Sequence, residues 1–325
     1  MLNIYYQPDY TKRKKLIFTT KLKDSIFLNK LIDVAYFFNY PIPDKYISNG
    51  PHKRMNNLIK TFKGRSDISF NKCLYDFSYI VQFDWFGEKV LNEIIKNPSS
   101  NKLVLVGPLY TYDQLKNLAK YVHLYDYIKI VAASENAALR SLEILGNTID
   151  RSKIIVLPSG IISENKLQHF SNKQRNNKCL IYFKNRKKSE LNKIIKLLEE
   201  KNIKYDIFEY GKYDNRKLKR AAKFNKFCIL LDSSESQGFA VQEMMSFNIP
   251  MYVWDSPPTE HITYMSSVPY FDSNCGQIVK TFEEFVNNFN DFQNNLDIYN
   301  PKTFVLEMLT YEKFIKNLKN HFENF

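Results

Sequence analysis

The chain has 325 residues, 44% hydrophobic and 15% aromatic, with 47 Lys and Arg against 34 Asp and Glu, a formal net charge of +13. That length favours two domains, each large enough for its own core, and the composition excludes a disordered or low-complexity chain. No apolar run approaches the ~18 residues of a membrane helix, and the four cysteines (Cys73, Cys179, Cys228, Cys275) form no Cys-x-x-Cys and have no histidine at metal-ligand spacing, so free, mostly buried thiols are expected.

The N-terminus, Met-Leu-Asn-Ile-Tyr-Tyr-Gln-Pro-Asp, lacks the basic and apolar blocks of a signal peptide, and a cytoplasmic chain is expected. Short apolar or β-branched runs at 3–6, 79–83, 103–106 and 128–132 alternate with helical-period segments at 55–62, 87–96 and 112–122. Such alternation predicts α/β architecture, a parallel sheet with helices on both faces. Asn49-Gly50-Pro51-His52 opens the helix carrying 55–62. It reads equally as a plain turn and as a loop whose glycine lets backbone approach a ligand. A helix over 137–145 closes at Gly146, and a strand over 154–157 ends in Pro158-Ser159-Gly160.

The polar, Asn/Lys-rich stretch 163–178 reads as an interdomain crossing, after which a new unit starts at Cys179. Its expected elements are a strand over 179–183, a helix over 189–200, a strand over 204–210 ending in Tyr210-Gly211, and a helix over 218–224. Between the first strand and helix lies Lys184-Asn185-Arg186-Lys187-Lys188. Four bases there are either a solvated helix start or, because like charge at a helix N-terminus opposes the dipole, an anion site. The apolar run 228–231 then meets a polar cluster, a helix opens past Gly238, and a strand leads to Asp255. Unpaired N–H groups at that helix start make a phosphate seat. Glu235 and Glu243, seven residues apart, can accept hydrogen bonds from sugar hydroxyls. Beyond them a helix over 277–288 and one or two helices over 301–324 are expected.

The stretch from Glu235 through Gly238, Glu243 and Met244 to Ile249-Pro250 resembles the donor-site signature of the retaining GT-B glycosyltransferases, family 4 (glycosyl transferases group 1) in particular. Two positions depart from that pattern, Ser236 for a second glycine and Ala240 for Pro or Gly. The segment from Ser134 through Gly146 to Leu157-Pro158-Ser159-Gly160 resembles the close of the same family's N-terminal domain. The resemblance implies two Rossmann-like domains facing across a cleft, 1–165 for the acceptor and 166–325 for the nucleotide-sugar donor. The last helix, about 305–325, would cross back to the N-terminal domain.

It further implies that Lys184, Arg186 and Lys188 grip the donor diphosphate, that Glu243 binds the ribose, and that Glu235, with the backbone of Ser236, Gln237, Gly238 and Phe239, orients the sugar. Gly50 would approach the phosphate and Tyr210-Gly211 the base, while Asp84 and His123 are acceptor-side candidates that read first as structural or exposed groups and only second as catalytic ones. No Asp-x-Asp metal clamp, Gly-x-Gly-x-x-Gly or Walker loop is present, so a metal-independent site with a UDP- or GDP-linked sugar as substrate, and no further cofactor, is the expectation. No carboxylate nucleophile stands out in the N-terminal half, which suits same-face attack with retention of configuration.

Residues 1–160 hold 23 bases and 14 acids (+9) and residues 161–325 hold 24 and 20 (+4). That excess favours a glycan or phosphate-bearing, anionic acceptor, with peripheral contact to an anionic membrane or nucleic acid left open. Compositional bias toward lysine accounts for the charge equally well. The alternatives are a DNA-modifying glycosyltransferase, a non-catalytic nucleotide-sugar binding protein, and a nucleic-acid-binding protein without activity.

Overall fold

The structure is a computed structural model describing residues 2–5, 50–62, 65–70, 77–81, 83–97, 103–109, 112–161, 175–256 and 265–323. Asn49, Cys73 and most of the expected 163–178 crossing lie outside the described residues. The chain divides into two compact units, Met1–Ser159 with Phe314–Phe325, and Gly160–Lys313.

The first unit contains β1 (Leu2–Tyr5), α1 (Gly50–Phe62), β2 (Ile68–Phe70), β3 (Phe77–Ile80), α2 (Trp85–Lys96), β4 (Leu103–Val106), α3 (Tyr112–Leu124), β5 (Ile128–Ala132), α4 (Glu135–Ile144) and β6 (Ile154–Val156). The strands form one parallel sheet in the order β2-β1-β3-β4-β5-β6. Alternate strand residues supply opposite faces. Ile80, Val104, Val106 and Ile130 pack with Val90, Leu91 and Ile94 of α2 and Leu115 and Leu118 of α3. Tyr79, Leu103, Leu105 and Val131 pack on the other side with Leu58, Ile59 and Phe62 of α1. Asp84 caps α2 by accepting the N–H groups of Phe86 and Gly87, and Ser134 caps α4 by accepting that of Ala137.

The second unit contains β7 (Asn176–Phe183), α5 (Lys188–Glu200), β8 (Lys204–Glu209), α6 (Asn215–Phe224), β9 (Asn225–Leu231), α7 (Phe239–Ser246), β10 (Met251–Trp254), β11 (Gly276–Val279), α8 (Phe282–Asn294) and α9 (Pro301–Met308). Its sheet is also parallel, in the order β11-β10-β9-β7-β8. Leu180, Tyr182, Cys228, Leu230, Met251 and Val253 face α6, α7 and α9. Cys179, Ile181, Phe183, Ile229, Leu231, Tyr252 and Trp254 face α5 and α8. Cys179, Cys228 and Cys275 are free and buried. The last helix, α10 (Tyr311–Glu323), sets Phe314, Leu318 and Phe322 into the first unit's core beside α1, with Phe62 and Phe314 ring centres 6.0 Å apart. Among the described residues no helix is long and apolar enough to cross a membrane.

One expectation is corrected. The helix expected over 277–288 is instead β11, paired in register with β10 (Met251↔Gly276 to Trp254↔Val279), followed by α8. Thr281 interrupts the apolar pattern there, and its side chain accepts the Glu284 N–H to begin α8. Gly276 permits the close approach, since at φ +144° an added Cβ would meet the Met251 carbonyl oxygen at 1.9 Å. The strand β2 was also unforeseen, because three residues carry too short a pattern to register.

Arg175, immediately before β7, is a polar staple in the second unit. Its Nη1 donates to the carbonyls of Ala222 and Asn225 at 2.9 and 2.8 Å, and its Nη2 to those of Phe247 and Asn248 at 2.7 and 3.1 Å. These carbonyls end α6 and α7 and begin β9, so one guanidinium satisfies groups that helix ends leave unpaired. Burial alone lowers its pKa, to about 10, which leaves it charged at neutral pH. Arg175→Ala is expected to cost about 3 kcal/mol through four carbonyls, two of them buried and two half-buried, losing their donors. The midpoint of urea unfolding measures this, and Arg175→Lys should recover only part, since one ammonium cannot span both helix ends.

Candidate functional site

The second sheet winds outward from β7 to β8, then returns across β7 to β9, β10 and β11. The direction of winding therefore reverses between β7 and β9, and in open parallel sheets ligands bind beyond the strand C-termini at such a reversal. Phe183 at the end of β7 pairs with Leu231 at the end of β9. The Lys184 N–H donates to the Leu231 carbonyl at 2.8 Å, which sets Lys184 beside Asp232.

Here the structure gathers an ionic cluster. Lys184 Nζ donates to Glu235 Oε1, lies 3.4 Å from Asp232 Oδ2, and stands 4.9 Å from the centre of the Tyr210 ring. The Lys184 side chain is 12% exposed and that of Asp232 0%. Burial opposes the lysine's charge, but Glu235 and Asp232 outweigh it and hold its pKa above the ordinary value. Asp232 Oδ1 accepts the Ser233 N–H at 2.8 Å, while Oδ2 has no hydrogen bond, its 3.4 Å approach to Lys184 being an ion pair only. Burial pushes the Asp232 carboxyl up to about 7, with Glu235 adding to the rise and Lys184 opposing it.

Glu243, in the second turn of α7, is half-buried and within electrostatic reach of Tyr213. Tyr213 Oη donates to Tyr182 Oη at 3.3 Å, and burial raises its own pKa to about 12. Asp232, Tyr182 and Tyr213 were not singled out from the sequence. For Asp232 a signal existed, an acid directly closing an apolar run, whereas nothing local marks the two tyrosines.

Gly238 turns the loop into α7 with φ +82° and ψ 49°, a left-handed conformation that favours glycine. An added Cβ would meet only ordinary contacts at 3.7–3.8 Å, so the requirement is conformational rather than spatial. No side chain caps the start of α7 at Phe239. Ser236 is exposed, while Gln237 and Gln242 are buried and bind each other, Gln237 Nε2 to Gln242 Oε1 at 3.1 Å and Gln242 Nε2 to the Gln237 carbonyl at 2.7 Å.

The position of Glu235 is set from β10. Its N–H donates to the Ser266 carbonyl at 3.0 Å. Asp255, buried at the end of β10, accepts from Ser266 Oγ at 2.9 Å, from Ser267 N and Oγ at 2.8 and 2.9 Å, and from Lys280 Nζ at 2.7 Å. Burial would raise the Asp255 pKa, but these donors, Lys280 foremost, hold it below the usual value.

Of the remaining expected residues, Arg186 and Tyr210 border the cluster and the others lie elsewhere. Arg186 makes a two-pronged pair with Glu190 (2.6 and 2.9 Å), donates to the Trp254 carbonyl at 2.8 Å and stacks over the Trp254 ring. Its Nη1 also approaches the Asp232 carbonyl at 3.3 Å, at the edge of the cluster. Lys188 pairs with Glu209 at 3.0 Å on the outside. Tyr210 is half-exposed beside Lys184, and Gly211 follows it at φ +78°. Gly50 is the first residue of α1. Asp84 is occupied as a helix cap, and His123 is exposed in the last turn of α3.

Because the Asp232 pKa is raised in the folded state, folding retains a proton that the unfolded chain has lost between the ordinary carboxylate range and about 7. Stability therefore falls as pH rises through that window, by up to about 1.4 kcal/mol per pH unit, with no further contribution above it. Asp232→Asn should remove this slope, unfolding at higher urea than the parent near neutral pH and above, with the gap narrowing toward acid. Parallel slopes in the two proteins would show that Asp232 is ionised throughout.

No protein-family model matches the chain, and no curated protein matches it. Among solved structures, the N-terminal domain of the Candida albicans trehalose-6-phosphate phosphatase is similar at TM-score 0.53 and 9% identity, covering 98% of this chain and 96% of that one. The lipopolysaccharide outer core galactosyltransferase WaaB, in its apo form, is similar at 0.50 and 11%, covering 100% of both chains. The GtfA/B complex is similar at 0.50 and 12%, covering 83% of this chain, which spans about 60% of that chain's length. Identities this low show architecture alone: the chain has the GT-B fold, built from two parallel α/β units.

Proposed function

We propose that the protein is a retaining, metal-independent glycosyltransferase that binds a UDP- or GDP-linked sugar in its second unit and moves the sugar to a glycan, lipid-linked or other anionic acceptor. The observation that carries this reading is the buried Lys184 ammonium at the strand reversal, paired to Glu235 beside the uncapped start of α7. A diphosphate has the charge and geometry to take Glu235's place on Lys184 and to accept the free N–H groups of α7. WaaB, which has this fold, is named a galactosyltransferase. Since a phosphatase domain is similar as well, the reading rests on the residues more than on the fold.

In this mechanism Lys184 and the amides after Gly238 stabilise the charge that collects on the leaving diphosphate as the glycosidic bond breaks. Glu235, held through Ser266 and Asp255, turns toward the sugar hydroxyls, and Glu243 takes those of the ribose. The acceptor hydroxyl attacks the face the diphosphate leaves and gives its proton to the departing phosphate. Arg186, paired with Glu190 and touching the Asp232 carbonyl, and Lys188, paired with Glu209, are the further bases for the diphosphate in this reading. The +9 balance of residues 1–160 (23 bases, 14 acids) supports an anionic acceptor.

Thermal shift with UDP-glucose, UDP-galactose and GDP-mannose is the first test, since a bound donor stabilises by RT ln(1 + [L]/Kd). At least one should raise the unfolding temperature and be hydrolysed slowly without acceptor, releasing free sugar and nucleoside diphosphate. Lys184→Ala should lower turnover by about 10²–10³, and Glu243→Ala should weaken nucleotide binding by roughly tenfold. Donor binding without any hydrolysis or transfer would leave a binding protein, and unchanged kinetics in both variants would remove the site assignment.

A further inference from the structure

We propose that Asp232 is a positioning residue for the donor diphosphate: its carboxylate takes up a proton as the diphosphate arrives, which releases Lys184 from its paired acids to the phosphate. This rests on the nucleotide-sugar reading above and adds to it a proton linkage at a residue that touches Lys184 rather than the reacting atoms.

Lys184 is one cation between two carboxylates, Glu235 and Asp232, so with both ionised the cluster carries a net charge of −1 where a dianionic group must bind. Asp232 is fully buried and its Oδ2 faces Lys184 without a hydrogen bond. A buried carboxylate with an unsatisfied oxygen is costly, and a second anion brought beside it raises the cost further. A proton on Oδ2 answers both demands: it neutralises the cluster, and it supplies an O–H that can donate to Glu235 as Glu235 yields the ammonium. The bookkeeping is one proton from solvent onto Asp232 Oδ2, with no covalent bond broken. Burial already poises the group, since its carboxyl sits near 7 without a ligand.

The groups facing Asp232 leave it as the titrating member. Lys184, following β7, is held above its ordinary value, and the Tyr182 hydroxyl in β7 is driven upward by burial, away from neutrality. Arg186, in the β7–α5 turn, donates from Nη1 to the Asp232 carbonyl at 3.3 Å and offers its charge mainly to Glu190. Glu235 comes from Asp232's own loop, and Tyr210, following β8, reaches the cluster through Lys184.

Titration calorimetry with UDP-glucose and GDP-mannose from roughly pH 6 to pH 8.5 tests this, because each phosphate of these probes, esterified once and joined by the anhydride, has a single strongly acidic hydroxyl that does not titrate in that range. Wild-type affinity should weaken above pH ~7, approaching tenfold per pH unit, and binding should take up close to one proton, read from two buffers of different ionisation enthalpy. Asp232→Asn imitates the protonated acid, so it should bind across the range as the wild type does at the acid end, with no proton uptake. The buffer comparison on wild type needs no variant, so it decides the matter even if Asp232→Asn folds poorly. Wild-type binding that is equally tight at every pH and takes up no proton overturns the inference and leaves the nucleotide-sugar site standing. An Asp232→Asn profile that keeps the parent's pH dependence overturns it too. Failure of both probes to bind at any pH removes the nucleotide-sugar reading and this inference with it.

Discussion

A single ammonium, Lys184, stands between two carboxylates at the place where β7 and β9 end. Most of the second unit's polar architecture can be followed outward from that contact. Lys184 is there because the Phe183–Leu231 register carries the ladder one residue further, through its own N–H. Asp232 and Glu235 are there because β9 ends in a loop that Gly238 turns back into α7. Burial makes the arrangement tense: a lysine kept charged by two acids, one of them without a full set of hydrogen bonds, has reason to exchange partners when a better anion arrives.

The supporting network keeps that cluster in place without taking part in it. Asp255 gathers Ser266, Ser267 and Lys280 at the end of β10, and the Ser266 carbonyl holds the Glu235 backbone. Arg175 closes the opposite ends of α6 and α7 by satisfying four carbonyls. Between these polar fixtures the sheet is apolar on both faces, packed by α6, α7 and α9 on one side and by α5 and α8 on the other. Such an interior resists rearrangement, so movement on ligand binding would fall to side chains at the strand ends rather than to the strands.

Several elements were legible in the chain because burial on both faces of a parallel sheet demands unbroken apolar runs, and Leu103 to Val106 or Cys228 to Leu231 cannot easily be anything else. The Glu235, Gly238 and Glu243 spacing was legible for a related reason. A strand, a glycine turn and a helix start leave a recognisable order of residues. Where the reading failed, the pattern was short or composite. Gly276 to Val279 ran into the α8 pattern and was absorbed into it, and β2 was too brief to announce itself. The basic run after β7 was visible, but which base entered the cluster was not. Arg186 and Lys188 had nearby acids, Glu190 and Glu209, and took them, whereas Lys184 was aimed by its register against β9.

The sequence by itself determined the α/β class, the alternation that builds parallel sheets, and the candidate phosphate seat past Gly238, since all three follow from residue order along a few neighbouring positions. Only the tertiary structure decided that Asp232 is buried against Lys184, that Tyr213 meets Tyr182, and that Asp255 governs Glu235 through Ser266. Those contacts join segments far apart in the chain, and their electrostatics depend on how completely water is excluded. Burial of that kind is a property of the packed sheet and its helices, which no local stretch of residues records.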